Sequence, residues 1–348
     1  MNNKEEELSL ASPDYVFDKK IQNKMESIFL GIKKSPFFEY IEFKQEVQDI
    51  VKKNEEIFKE FIEICEEIKN KSRYTKPFWY LENAPIDPEL PIFGNSDPVE
   101  SKYKEKTTFV AESFLEAFSQ MTDTPLLGYE TRNNGDFFHD IYPQERYDLT
   151  QTQKTYGELH FHNDRTAHAV RSDYLNLLGL RSDKCNKVLT GYMDGGNILE
   201  LLDKETQEIL RKPYFITPFD NLSRDCNLSH ILSEEHAILE NVNTFRFYLN
   251  RTSANPKYPI AKKALKVLNN SIERAKRVYV YLQPGSFISF PNLNGLHNKQ
   301  FFEIQDYDKL KERWILKTYN FATTDVMNEY DSYFYADMPG KVKETREG

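Results

Sequence analysis

The chain has 348 residues, 39% hydrophobic and 14% aromatic, enough apolar material for one large or two ordinary globular domains. Its 46 Lys and Arg against 55 Asp and Glu leave a formal charge of −9, which argues against a nucleic-acid or anionic-membrane binder, since both need a positive field to collect phosphates. Cys65, Cys185 and Cys226 are odd in number and lack Cys-x-x-Cys spacing, the first residues contain no apolar signal core, and no run approaches the ~20 apolar residues of a membrane span. A soluble cytoplasmic protein with a small-molecule partner, monomeric or homodimeric, is expected.

From Phe43 to Ile68 the positions Phe43, Val47, Ile50, Val51, Ile57, Phe58, Phe61, Ile62, Cys65 and Ile68 recur at helical spacing. This predicts one long amphipathic helix whose Glu/Lys face is solvated and carries no chemistry. Phe78-Trp79-Tyr80-Leu81 reads as a strand ended by the Asn83 to Pro88 turn cluster. A loop from Leu90 to Pro98 leads to a second helix over Thr107 to Met121. Beyond Pro125 short apolar runs alternate with turn residues, predicting strands at 126–129, 137–141, 159–162, 174–180, 188–193, 214–216, 244–249, 278–282, 286–290 and 314–321. Helices interrupt them at 198–210 and 258–275. Strands in the centre and helices on the flanks predict an α+β architecture: a helical region over 1–74, a jelly-roll core over 75–325 and a tail over 326–348. The Asp-, Asn- and Ser-rich segment from Pro218 is long enough for a lid, set at about 218–240.

Only seven histidines occur, which makes Leu159-His160-Phe161-His162-Asn163-Asp164 worth a chemical explanation. Side chains two apart on a strand share a face, so His162 and Asp164 can reach one ion, with His160 beside them. His-x-Asp triplets also arise by chance; the weight lies in the context. His297 follows Gln283 to Pro291, read as a turn, a short strand and then a loop returning an imidazole across the barrel mouth, and Arg313 opens the final strand 16 residues later. Two imidazoles and one carboxylate, with the other positions open, suit non-haem Fe(II) holding a co-substrate and O2. His160 is either a neighbour of the metal or a satisfied core histidine, and the second reading is preferred. His139, His230 and His236 read as surface or structural, Tyr248 and Trp314 as core.

The segment His162-Asn163-Asp164-Arg165-Thr166-Ala167-His168, followed by Arg171-Ser172-Asp173-Tyr174-Leu175 and by Leu180-Arg181, resembles the clavaminate synthase-like branch of the Fe(II)/2-oxoglutarate dioxygenases, related to taurine dioxygenase and including amino-acid hydroxylases. Pro284-Gly285-Ser286-Phe287-Ile288-Ser289-Phe290 with His297 resembles its distal-histidine segment, and Arg313-Trp314 its co-substrate arginine. The resemblance spans about residues 75 to 322 with the motifs in the family's order. It implies a double-stranded β-helix, His162, Asp164 and His297 as Fe(II) ligands, and Arg313 with Thr190 on the distal carboxylate of 2-oxoglutarate. It further implies O2-dependent decarboxylation of 2-oxoglutarate to succinate and CO2, coupled to oxidation of an unactivated C–H bond of a free or derivatised L-amino acid. An intact Asp164, where related halogenases carry a small residue, favours hydroxylation and leaves desaturation open.

Gln153 and Thr155, in the polar loop before the metal strand, are candidate substrate contacts, with a solvated loop as the plain alternative. Arg165 replaces an acidic residue common in the family, and either binds substrate or pairs with Asp173 or another acid. His168 lines the pocket or a lid. Arg246-Phe247 lacks the acidic residue that meets basic substrates, which weakens free Lys or Arg; Asn250 suits an amide or ureido group and Arg251 a carboxylate, against a solvated strand end. Lys317 points the same way as Arg313 and is a candidate for the α-carboxylate of an amino acid. The rivals are a metal-dependent hydrolase, which leaves Arg313 and Thr190 without a task, and a non-catalytic jelly-roll metal or small-molecule binding protein.

Overall fold

The computed structural model describes residues 8–93, 97–226, 229 and 231–344. In chain order the strands are β1 (Tyr15–Val16), β2 (Trp79–Glu82), β3 (Leu126–Tyr129), β4 (Phe138–Ile141), β5 (Leu159–His162), β6 (Tyr174–Arg181), β7 (Lys187–Asp194), β8 (Phe215–Ile216), β9 (Ser253–Ala254), β10 (Val278–Tyr281), β11 (Phe287–Pro291), β12 (Gly295–Glu303), β13 (Trp314–Asn320), β14 (Phe334–Tyr335) and β15 (Met338–Val342). A nine-stranded mixed sheet runs β1-β2-β11-β6-β13-β3-β15-β14, with β4 also on β13. A four-stranded sheet, β10-β7-β12-β5, lies across from it, and β8-β9 form a small ribbon.

Side-chain alternation along these strands makes three apolar layers. Leu175, Leu177, Ile288, Phe290, Ile315 and Tyr319 from the large sheet meet Tyr192 and Val280 from the small one in a shared core. The opposite face of the large sheet carries Leu178, Phe287, Trp314 and Leu316 against the helix Val110–Thr122, whose Phe114 and Phe118 rings pack edge-on to Phe287 at 5.3 and 4.8 Å. The helices Lys19–Phe29, Tyr40–Lys53 and Glu55–Asn70 cover that layer through Phe29, Phe43, Phe58 and Phe61, each fully buried or nearly so. Each such ring contributes roughly 1.5–3 kcal/mol of burial. On the far side of the small sheet, Phe161, Met193 and Leu296 pack against Ala261, Ala264, Leu268 and Ile272 of the helix Pro259–Arg274.

Several elements differ from the sequence reading. The predicted single helix over 43–68 is two, broken at Asn54, whose side chain turns back to donate to the Ile50 carbonyl at 2.7 Å. Lys52-Lys53 before the break and Glu55-Glu56 after it complement one helix C-terminus and the next N-terminus. Residues 244–249 make isolated bridges only, at Phe245 and Tyr248, and the Phe247 NH is taken by the Asn163 side chain just after β5. His297 sits within β12, not on a loop. The described part of the segment read as a tail over 326–348 follows a helix, Thr324–Asn328, that overlaps its start, and carries a hairpin whose β15 pairs in parallel with β3. Gly179 answers a close approach: its NH donates to Ser286, its carbonyl accepts from Gly285, and a Cβ there would run into the Gln283 carbonyl. Among the described residues no helix is long and apolar enough to cross a membrane.

Candidate metal centre

Strand pairing sets the two imidazoles face to face. His162 at the end of β5 is the direct partner of His297 on β12, and their rings lie 4.2 Å apart. Asp164 follows two residues after His162, and its Oδ1 stands 3.2 Å from His162 Nε2 and 3.5 Å from His297 Nε2. One ligand atom from each of the three falls within 4.8 Å of the others.

The turn carrying Asp164 is held by two asparagines. The Asn163 amide donates to the Asn292 and Gly295 carbonyls and accepts from the Phe247 NH at 2.9 Å. Asn292 Oδ1 accepts from the Asp164 NH at 2.8 Å, while its amide donates to Ser172 O at 3.0 Å. Arg165 next in line takes left-handed backbone, φ 62°, which turns the chain away from the strand. This scaffold ties β5 and the start of β12 to one turn, so ligand spacing does not depend on a mobile loop.

The donor set fits a divalent metal. His162 Nδ1 donates to the His160 carbonyl at 2.7 Å, which leaves the Nε2 lone pair for an ion, and Tyr248 stacks on the ring at 4.5 Å. Burial raises the Asp164 carboxyl, but Lys317, with Nζ 2.5 Å from Oδ2, and the two histidines outweigh it and hold it well below the usual carboxylate range. Burial and the neighbouring His162 bring His297 down to about 4, so the imidazole is neutral and able to ligate at pH 7.

A cavity opens from the triad between the sheets, lined also by Gln153, Arg165, His168, Thr190, Tyr248, Arg251, Lys299, Arg313 and Lys317. Arg313 is 6% exposed, its Nε has no hydrogen-bond partner, and no acidic side chain among the described residues pairs with it. Burial alone pulls its guanidinium down to about 10. Thr190 on β7 and Lys299 on β12 are register partners facing the same cavity. Lys299 donates to the Thr155 carbonyl at 2.8 Å, and burial followed by the charge of Arg313 pulls it down to about 7. A buried guanidinium and a second cation without a carboxylate between them make a socket for an anion.

Of the predicted residues, His162, Asp164 and His297 converge, and Gln153, Arg165, His168, Thr190, Arg251, Arg313 and Lys317 share the cavity wall. Thr155 is buried beneath it, its hydroxyl accepting from Gly157, and Asn250 is exposed in a left-handed turn at φ 65°. The His160 ring is exposed, not in the core, because β5 is an edge strand; its carbonyl is what serves the site. Arg165 pairs with Glu344 of the C-terminal strap, while Asp173 takes Arg73. His139 is fully buried and His236 is 4% exposed and hydrogen-bonded; His230 lies outside the described residues. Sequence reasoning missed Lys299, Arg132, Asp220 and Glu344. Lys299 was legible from its i+2 spacing to His297; Glu344 had no local signal.

Two buried histidines give the fold a defined acid sensitivity. Burial, then Arg165, pulls His168 to about 4 despite Glu344, and burial, then Arg246, does the same for His236. Both take up a proton near pH 6.5 when unfolded and only near 4 when folded, so the stability they contribute is complete above 6.5 and lost as pH falls toward 4. At about 1.4 kcal/mol per pKa unit the pair is worth several kcal/mol. The thermal midpoint of the metal-free protein should drop steeply as pH falls from 6.5 to 4; a level midpoint through that window contradicts neutral buried imidazoles.

No family model matches the chain, and no curated protein matches it in sequence. Solved structures do. It is similar to an asparagine oxygenase in complex with Fe(II), 2S,3S-3-hydroxyasparagine and succinate, at 18% identity and TM-score 0.75, covering 93% of this chain and 98% of that one. It is also similar to the non-heme iron oxygenase OrfP with Fe and alpha-ketoglutaric acid, at 17% identity and TM-score 0.75, covering 96% and 100%. OrfP with Fe, succinate and (3S)-hydroxy-L-Arg gives 16% identity, TM-score 0.74 and coverage of 95% and 100%. The chain therefore has the fold of these oxygenases over nearly its whole length.

Proposed function

We propose that the chain is a soluble, cytoplasmic Fe(II)- and 2-oxoglutarate-dependent oxygenase that hydroxylates an unactivated C–H bond of a free or derivatised L-amino acid. In this reading the two facing sheets are the halves of a double-stranded β-helix, dressed by the N-terminal helices and flanked at the cavity by the helix Asn221–Cys226. The observation that carries it is the unpaired, buried Arg313 sharing one cavity with the His162-Asp164-His297 triad. A hydrolase or a simple metal binder has no use for such a socket, whereas a dicarboxylate bridging metal and guanidinium needs both ends. The solved structures of the same fold hold Fe with alpha-ketoglutaric acid or succinate, and hydroxylated asparagine or arginine, which supports the assignment.

His162, Asp164 and His297 would hold the iron, which when bound supplies the oxidation by O2 that splits 2-oxoglutarate into succinate and CO2 and delivers one oxygen atom to the substrate. Arg313, Thr190 and Lys299 bind and orient the distal carboxylate. Lys317 keeps Asp164 ionised and aimed, a role its 2.5 Å contact favours over a substrate contact. Asp220, next to the helix Asn221–Cys226, pairs with Arg132, and Ser223 of that helix meets His168 at 3.1 Å, so this helix is anchored to the cavity wall. The test is succinate release with Fe(II), ascorbate and 2-oxoglutarate across amino acids, with mass analysis of products. A gain of one oxygen atom matching succinate is expected; no succinate under any condition contradicts the reading.

A further inference from the structure

Among the described residues the carboxylates around the cavity are all paired, and the cations left over say what the substrate carries. Its lining contains two carboxylates among the described residues, Asp164 and Asp220. Asp164 is engaged by Lys317 and Asp220 by Arg132. A third carboxylate comes from the chain's end: Glu344 takes Arg165 and, at 2.7 Å, His168. Every carboxylate at the site among the described residues thus already has a cation. Arg313 and Lys299 flank the socket assigned above to the co-substrate.

Arg251 remains. Its guanidinium has no carboxylate partner among the described residues; it donates to the Phe219 carbonyl at 3.1 Å and lies 5.6 Å from the Tyr248 ring, which stacks on His162. It therefore sits on the metal's side of the cavity, beside Phe219, with its charge uncompensated. Gln153, also in the lining, has a buried side-chain amide nitrogen with no partner. A neutral polar group on the substrate would satisfy it, and a cation would not.

Resting on the oxygenase reading, we propose that the substrate is a carboxylic acid that brings no net positive charge, an amino acid carrying an amide, ureido or N-acyl group, any free α-ammonium being balanced by its own carboxylate; Arg251 binds that carboxylate and the amide-like group meets Gln153. A guanidinium or ammonium side chain would enter among Arg132, Arg165 and Arg251 with no carboxylate left to receive it, an uncompensated charge in a dehydrated site. Lysine and arginine are excluded on that ground.

Succinate release decides it, measured without substrate and with asparagine, glutamine, citrulline, N-acetyl amino acids, lysine and arginine, on the wild type, Arg251→Met and Arg251→Lys. The expected result is stimulation by at least one amide, ureido or acyl acid and none by lysine or arginine. Arg251→Met should raise the KM of that acid roughly 30-fold or more, with kcat moving less, and Arg251→Lys should recover part of the loss. Stimulation by lysine or arginine above every neutral acid, silence of all the neutral acids, or an unchanged KM in Arg251→Met overturns the proposal while slow substrate-free succinate release leaves the oxygenase reading standing. Absence of any succinate, with or without substrate, overturns both.

Discussion

Asp164→Ala is expected to abolish iron binding and lower turnover by roughly a thousandfold or more, since a catalytic metal contributes several kcal/mol and each 1.4 kcal/mol is tenfold. The loss exceeds that of one ligand. Asp164 is the only carboxylate in the triad, and its removal leaves the Lys317 ammonium, 3% exposed, without its counter-ion and adjacent to two imidazoles. Whatever charge the Lys317 amine keeps there opposes the incoming dication, in addition to the lost ligand. Iron content of the purified variant, read beside the wild type, checks this; a variant that keeps iron and turnover would show that Asp164 is not a ligand.

Arg313→Met is expected to separate metal from co-substrate. Iron binding should persist, because the residue touches none of the three ligands, while the KM for 2-oxoglutarate rises by roughly 30-fold to a thousandfold, the range for truncating a buried charged hydrogen-bond partner. Stability should move the other way. In the free protein this guanidinium is desolvated and unpaired, so replacing it by an apolar chain of similar length relieves a buried charge, and the thermal midpoint should rise. Adding 2-oxoglutarate to the wild type should close that gap and do little for the variant. An unchanged KM removes Arg313 from the co-substrate site.

What the sequence showed and hid follows from where the site lies. Strands β6, β7 and β13 were legible because both their faces are packed, which makes each a short, mostly apolar run. β12 was not, because His297 and Lys299 belong to the site and polar Asn298 and Gln300 interrupt the run, so no apolar period marks it. The triad itself was legible as residue types in order, yet what brings it together, the His162–His297 register and the Asn163 and Asn292 turn, is long-range pairing with no local signature. Glu344 on Arg165 is the extreme case: 179 residues separate them, and only the parallel pairing of β15 with β3 delivers the carboxylate. Asn54 is the opposite, a break whose capping charges were in plain view.

In the proposed function one cavity would hold both a metal at the triad and a dicarboxylate reaching Arg313. Anaerobic addition of 2-oxoglutarate to the Fe(II)-loaded protein tests it most directly. A weak visible charge-transfer absorption that saturates with 2-oxoglutarate in the wild type, and that needs far more of it in Arg313→Met, is the predicted result. Iron bound at the triad with no such absorption at any 2-oxoglutarate concentration would contradict the account.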